Sequence, residues 1–363
     1  MTHDDCAADG TAVLVFPAGM PKALAYLARA REEGRRVIGS SSLGYDPARA
    51  NYPEWVSLPY VTAPDFVDEM SRAIDELKID TVFTPNPVVW NYLNRWLREA
   101  FAQVDLEPAT PPVENDAAPY RRAKDFAASL CADPLPVAAR SLPISMVSAL
   151  EIAALFHHSE NIPGSCDHQK IRALCEIFRY APEGDMVEIG CLFGKSAFVL
   201  SRLAGLYARG ALLCVDPWSS EFLPQKTEWV DSTSSQRDFE EVLTAFQINL
   251  LPYAQGTVNY LRLPSLEAAQ VYRRGTVVET AEFGETRYSG HIAVLHIDGN
   301  HEYENVRNDM AAWAELVQPG GWIVVDDYKW PYGDGPRRAA DEFLQRRQCQ
   351  CAFFTGGALF IQT

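Results

Sequence analysis

The sequence predicts an α/β fold in two parts. A smaller parallel α/β domain is expected over residues 1–105, a Pro-rich linker over 106–143, and a larger open sheet with helices on both faces over 144–363. Three observations carry this reading. Short apolar runs alternate with amphipathic helical stretches in both halves. Between the two series the composition shifts to Pro, Ala and Asp, in Glu107-Pro108-Ala109-Thr110-Pro111-Pro112 and again in Asp133-Pro134-Leu135-Pro136. The 363 residues, at about 150 per domain, suggest roughly two cores.

In the first series Ala12–Pro17 is strand-like, Lys22–Glu33 helical and Arg36–Ser40 strand-like, which makes one βαβ unit. A strand near Trp55–Val61, a helix near Asp65–Leu77 and a strand at Thr81–Thr84 extend it. The loop Pro17-Ala18-Gly19-Met20-Pro21 resembles the opening of the N-terminal domain of ATP-grasp ligases. A structural Rossmann-like module needs the same single permissive residue, and no ATP-grasp catalytic domain follows. The linker should carry a short helix near Tyr120–Cys131. Helical stretches at Ser145–His157 and Asp167–Tyr180 then lead into the second series.

Composition narrows the function classes. Hydrophobic residues at 47% and charged residues at 22% describe a globular chain. A net charge of −16 repels phosphate backbones and anionic lipid, so neither nucleic acid nor membrane is an expected partner. The longest apolar runs fall far short of a bilayer span. The opening Met-Thr-His-Asp-Asp-Cys lacks the order of a signal peptide, so a cytoplasmic location is expected. The eight scattered cysteines should be thiols. Cys349 and Cys351, close together but without further ligands, do not make a zinc site.

The chemistry concentrates in the second series. Met186–Gly190 is an apolar strand that enters Gly190-Cys191-Leu192-Phe193-Gly194-Lys195-Ser196, and Ala197–Leu206 is helical. Strand, glycine loop and helix in this order let the backbone approach a ligand beside free N–H groups that attract an anion. The spacing lacks Gly-x-Gly-x-x-Gly, which argues against NAD. The next strand, Ala211–Val215, ends in Asp216, where an acid can accept hydrogen bonds from ribose hydroxyls. A fourth strand, His291–Ile297, ends in Asp298-Gly299-Asn300-His301. The turn Pro319-Gly320-Gly321 leads to a fifth, Ile323–Val325, which ends in Asp326-Asp327-Tyr328. Taken singly, Asp-Gly-Asn-His is also an ordinary turn and Asp326-Asp327 an ordinary cap. His296-Ile297-Asp298 has the His-x-Asp form of an iron triad, but no His follows residue 301 to complete it.

Together these residues resemble the class I S-adenosylmethionine-dependent methyltransferases, over about residues 150–363. Within that class they resemble the metal-dependent O-methyltransferases of the catechol and macrolide-sugar types. The resemblance implies a seven-stranded Rossmann-like sheet. It implies Glu188 near the methionyl amino group of S-adenosylmethionine, Gly190, Gly194 and Ser196 around its methionyl portion, Asp216 at the ribose and Ser265 in the adenine-side loop. Asp298 would border the cofactor and, with Asp326 and Asp327, hold Mg²⁺ or another divalent cation. Three oxygen ligands suit that ion. His301 would be the general base; sugar-modifying members carry His there and catechol enzymes Lys, so the implied partner is a small-molecule hydroxyl acceptor such as a sugar, glycoside or natural product. Acceptor selection is expected from Trp218–Arg237, from a hairpin at Thr276–Ser289 and from Tyr328–Pro336. A homo-oligomer is compatible with this reading. The alternatives are a nucleotide-binding ligase or sensor acting through the N-terminal domain, or a catalytically idle cofactor-binding module.

Overall fold

The computed structural model describes residues 12–139, 141–222, 224–225 and 227–363. His3, Cys6 and the acidic N-terminus lie outside the described residues. The chain divides into two compact units, Met1–Arg121 and Arg122–Thr363.

The first unit is a five-stranded parallel sheet. Its strands are β1 (Ala12–Val15), β2 (Arg36–Ser41), β3 (Glu54–Ser57), β4 (Ile79–Phe83) and β5 (Asp105–Glu107), in the order β3-β2-β1-β4-β5. The helices are α1 (Pro21–Glu32), α2 (Phe66–Leu77) and α3 (Pro87–Ala100). Central β1 is covered on both faces: Ala12 and Leu14 pack with α2 and α3, Val13 and Val15 with α1. This is why β1 reads as an unbroken apolar run. The strand expected to reach Val61 ends at Ser57, because Pro59 has no N–H for the ladder. The sequence reading missed α3, whose start is capped by Asn86 Oδ1 accepting from the Val88 and Val89 N–H groups at 2.9 and 3.1 Å. In the loop after β1 a side chain on Gly19 would meet the Asp46 carboxylate at 3.1 Å.

Much of the stretch read as a linker is regular structure. Residues 105–107 form β5, and a 21-residue helix, α4 (Pro112–Ala132), replaces the expected short one. Pro112 stands at the helix start, where its missing N–H costs nothing, so here Pro opens a helix instead of marking a loop. The division between the units falls inside α4.

The second unit holds α5 (Ala149–Ser159), α6 (His168–Ile177), α7 (Lys195–Leu206), α8 (Glu228–Ser234), α9 (Phe239–Ala254), α10 (Ser265–Arg274), α11 (Tyr303–Trp313) and α12 (Gly335–Arg346). Its seven-stranded sheet is built from β6 (Asp185–Ile189), β7 (Leu212–Val215), β8 (Val258–Leu261), β11 (Ile292–Ile297), β12 (Val317–Val325), β13 (Cys351–Thr355) and β14 (Ala358–Gln362); β9 (Val277–Thr280) and β10 (Gly284–Arg287) form a separate hairpin. The order is β13-β14-β12-β11-β6-β7-β8, in which β14 alone runs against the other six strands, pairing antiparallel with both β12 and β13. Side chains alternate between two cores. Met186, Leu212, Trp322 and Phe360 face α5, α6, α7 and α9, while Val187, Leu213, Ile323 and Ile361 face α10, α11 and α12. The expected fold class, an open α/β sheet with helices on both faces preceded by a smaller parallel α/β domain, is the one observed.

Two details differ from expectation. The Pro319-Gly320-Gly321 turn lies within β12 as an irregularity, since Ile292 pairs with Val317 and Val294 with Trp322. The hairpin sits where expected, but Asn259 Nδ2 of β8 ties it down by donating to Val278 O (3.0 Å) and Gly284 O (2.7 Å). Among the described residues no helix is long and apolar enough to cross a membrane, and the seven described cysteines are free.

Candidate active site

Strands are added to one side of β6 as β7 and β8 and then to its other side as β11 and β12, and the carboxyl ends of strands at such a switch form the crevice where open α/β sheets bind ligands. A cavity of about 570 Å³ lies there. Gly190, at the end of β6 with φ +83°, lies so close to β11 that a side chain would strike the Asp298 carbonyl at 2.1 Å. The two strand ends can meet only because this residue has no Cβ.

The glycine loop is braced from β7. Asp216 Oδ2 accepts from the Cys191 and Leu192 N–H groups at 2.8 and 3.1 Å, and its Oδ1 accepts from Trp218 N–H at 2.7 Å. Burial pushes the Asp216 carboxyl up, and these three N–H groups oppose the shift. Trp218 Nε1 donates to Leu192 O at 3.0 Å, and Leu192 and Trp218 both adopt positive φ. Such strained backbone persists only where its surroundings hold it.

The expected cofactor residues divide. Gly190, Ser196, Asp216, Ser265 and Asp298 line the cavity, whereas Glu188 and Gly194 do not. Glu188 is fully buried in β6 with Oε1 2.8 Å from His296 Nδ1 of the neighbouring strand. Gly194 starts α7 and serves packing: a side chain there would meet Leu250 of α9 at 2.5 Å. Ser265 Oγ accepts from Trp313 Nε1 at 3.0 Å.

The three carboxylates expected to share one ion also divide. Among the described residues, the ligand atoms of Asp298, His301 and Asp327 lie within 4.8 Å of one another, and so do those of His296, Asp298 and Asp326. No such group joins Asp298, Asp326 and Asp327. Asp326 meets Lys170 of α6, which the sequence reading overlooked. Its ammonium is paired with Asp326 Oδ2, and both side chains are 4% exposed. His296 Nε2 lies 3.6 Å from the same oxygen. Asp326 Oδ1 accepts from Asp327 N–H at 2.8 Å. Burial alone would raise the Asp326 carboxyl, but the contacts with His296 and Lys170 win and hold it well below the usual range. Burial works against a charged His296, yet Asp326 and Glu188 lift it to about 10. Burial and the neighbouring Asp326 charge push Asp298 well above the ordinary carboxylate range.

His301 and Asp327 face the cavity. Asp327 has φ +49°, a left-handed conformation that Asp tolerates better than most residues. It brings Oδ2 to 2.8 Å from His301 Nε2. That nitrogen is buried without a directed hydrogen bond. His301 Nδ1 is 2.8 Å from Gln225 Oε1, and the ring stacks on Trp330 at 4.8 Å and 20°. The turn reading of this segment also holds, because Asn300 Oδ1 accepts from Glu302 N–H at 2.9 Å. Of the stretches expected to select an acceptor, 218–237 contributes Ser219, Phe222, Gln225 and Arg237 to the cavity wall, and the hairpin contributes nothing.

A further cavity residue escaped the sequence reading. Asp309 of α11 is 7% exposed, lines the wall and hydrogen-bonds to Ser265. Burial pushes its carboxyl up to about 6 against that hydrogen bond. Its only sequence signal is a carboxylate on the inner face of an amphipathic helix.

Solved structures with distant similarity to this chain include three methyltransferases. The O-methyltransferase NovP is 16% identical, covering 68% of this chain and 98% of its own, with a TM-score of 0.38. The TDP-rhamnose 3'-O-methyltransferase CalS11 of calicheamicin biosynthesis is 14% identical over 68% and 94%, at 0.36. The methyltransferase MycE of the mycinamycin pathway, in complex with Mg, S-adenosylhomocysteine (SAH) and mycinamycin VI, is 15% identical over 49% and 44%, at 0.30. A 38-residue segment is 47% identical to an uncharacterized protein of Acanthamoeba polyphaga mimivirus, covering 10% of this chain; the chain spans 17% of that relative. Residues 187–328 match the family model described as a methyltransferase domain, a stretch that contains all ten site residues named from the sequence.

Proposed function

We propose that the second unit transfers a methyl group from S-adenosylmethionine to a hydroxyl of a small molecule, of the sugar, glycoside or natural-product class, with the help of a divalent cation. One observation carries the reading: Asp298, His301 and Asp327 form part of the wall of the same cavity as the glycine loop and Asp216. Its volume suits a ligand of nucleoside size or larger.

Gly190, Ser196 and Asp216 would bind the cofactor, with Ser265 and Asp309 on its far side. Two carboxylates within reach of one point suit Mg²⁺ or a similar ion, which commonly takes one or two protein carboxylates and completes its shell with water and substrate; Asp298 and Asp327 would hold it. When bound, the two groups supply an electrophilic methyl and a positive charge that stabilises a developing alkoxide. His301 would take the hydroxyl proton at Nε2, and the adjacent Asp327 would stabilise the resulting imidazolium. Gln225 and Trp330 fix the ring so that this nitrogen stays directed, which removes orientational freedom from the proton transfer.

An SAH release assay tests the proposal across sugar, nucleotide-sugar and phenolic acceptors, with Mg²⁺ and with chelator. Chelator-sensitive release with a hydroxylated acceptor is expected. Failure of the protein to bind SAH would refute the reading.

A further inference from the structure

Lys170 has no part in the proposed methyl transfer, yet it is one of the most buried charges in the chain, at 3% exposure. Its placement is built. Asp167 caps α6, with Oδ1 accepting from Lys170 N–H at 2.8 Å. The tight turn between β13 and β14 packs against that first helical turn, where a side chain on Gly356 would meet Lys170 N at 2.5 Å. Gly356 N–H donates to Gln169 Oε1 at 3.3 Å, and Lys329 N–H donates to Gly357 O at 3.2 Å. One hairpin turn thus joins the start of α6 to the segment that follows β12, and the lysine is directed to the end of that strand.

There Asp326 is enclosed by polar groups, among them the Asp298 carboxyl, with which it shares a hydrogen bond. Oδ2 takes the Lys170 ammonium and faces His296 Nε2; Oδ1 takes the Asp327 N–H. A carboxylate whose oxygens already face an ammonium, an imidazole nitrogen and an amide N–H has little negative potential left for a dication, which would also be repelled by the nearby ammonium. Asp327, its neighbour, points the other way, to His301 and the cavity.

We infer that Lys170 is a resident cation that withdraws Asp326 from the divalent-ion site, leaving Asp298 and Asp327 as its protein carboxylates. Lys170 and Asp326 then form a charge-compensated pair behind the site, and Asp327, not Asp326, meets the ion. The inference rests on the divalent-ion part of the function proposed above.

The test is Mn²⁺ titration of the full chain by calorimetry, with SAH titration in parallel and thermal melts to confirm folding. The variants are Asp327→Asn, Lys170→Met and the joint Lys170→Met/Asp326→Asn, which removes both partners and leaves no unpaired buried charge. Asp327→Asn should weaken Mn²⁺ binding about tenfold or more, as expected for a lost ligand. The joint variant should stay within about threefold of the parent, since both partners are replaced together. Lys170→Met, where it folds, should bind Mn²⁺ more tightly than the parent because Asp326 is released. If the joint variant weakens binding as much as Asp327→Asn, Asp326 is a ligand and the inference is wrong. Absence of Mn²⁺ binding to the parent also overturns it, while intact SAH binding and turnover would leave the methyl-transfer reading standing. Loss of SAH binding with the Mn²⁺ pattern intact would do the reverse.

Discussion

Lys170 of α6 and Asp326 at the end of β12 form a buried ion pair across 156 positions of sequence. Their surroundings supply more positive charge than this one lysine, because His296, held near 10 by Asp326 and Glu188, stands between two carboxylates. Glu188, His296, Asp326 and Lys170 thus form a chain of alternating charge through the sheet, behind the cavity wall formed by Asp298 and Asp327.

Breaking that chain at one link should be costly. Lys170→Met leaves Asp326 without its ammonium in a site shut off from water, and a loss of about 3–5 kcal/mol in unfolding free energy is expected. The joint Lys170→Met/Asp326→Asn replacement should cost clearly less. Urea denaturation of both variants and of Asp326→Asn gives the coupling directly, and additive effects would mean the contact contributes nothing.

Asp216 should matter twice. Its carboxylate accepts three backbone N–H groups of the glycine loop and its neighbour, so Asp216→Ala leaves buried donors unpaired and should destabilise the unit by about 1–3 kcal/mol or more. SAH affinity should fall as well, since both the ribose acceptor and the loop geometry are lost. Calorimetry that shows parental affinity in the folded variant would remove Asp216 from the cofactor site.

The sequence made the strand ends legible and left the side-chain partners hidden. Gly190, Asp216, Asp298 and Asp327 stand at carboxyl ends of strands whose apolar runs and turn residues are unmistakable, and open sheets bind ligands at such edges. Lys170 could not be found this way, because a turn near the C-terminus brings it to Asp326. Glu188 and Gly194 sit in the right motif but face strand and helix neighbours, a matter of packing that spacing does not encode. The Pro-rich stretch misled for a local reason: Pro at a helix start and Pro in a linker look alike until the Ala-rich continuation of α4 is weighed.

Asp309 should make stability depend on pH in a predictable direction. Burial raises its carboxyl from 3.8 to about 6 in the fold. A group raised in this way contributes fully below its unfolded value, and that contribution is lost as pH rises through about 6. Asp309→Asn removes the penalty, so at pH 8 the variant should be more stable than the parent by roughly 2–3 kcal/mol, because each tenfold change in proton affinity on folding is worth about 1.4 kcal/mol. At pH 4 the two should nearly coincide. Denaturant midpoints at both values decide it, and an equal difference at both would mean that Asp309 ionises freely in the folded chain.

His301 presents the sharpest choice, because its position beside Asp327 and Asp298 suits either a base or a metal ligand. Its buried Nε2 lies 2.8 Å from Asp327 Oδ2, whose negative charge favours a proton on that nitrogen. Gln225 at Nδ1 and the stacked Trp330 hold the ring in place. As a base, His301 should lose turnover when replaced: His301→Ala should lower kcat by roughly 10²–10⁴-fold, with SAH and Mn²⁺ affinities near parental. Trp330→Ala, which removes only the stacking partner, should have a smaller effect on kcat and raise KM for the acceptor if the indole also borders it. Excess divalent ion should partly restore Asp327→Asn but not His301→Ala, because the first lesion lies in ion affinity and the second in proton transfer. Single-turnover rates measured alongside Mn²⁺ titrations separate the two roles. A tenfold or greater loss of Mn²⁺ affinity in His301→Ala would make the imidazole a ligand, and a bound nitrogen has no lone pair with which to take the hydroxyl proton.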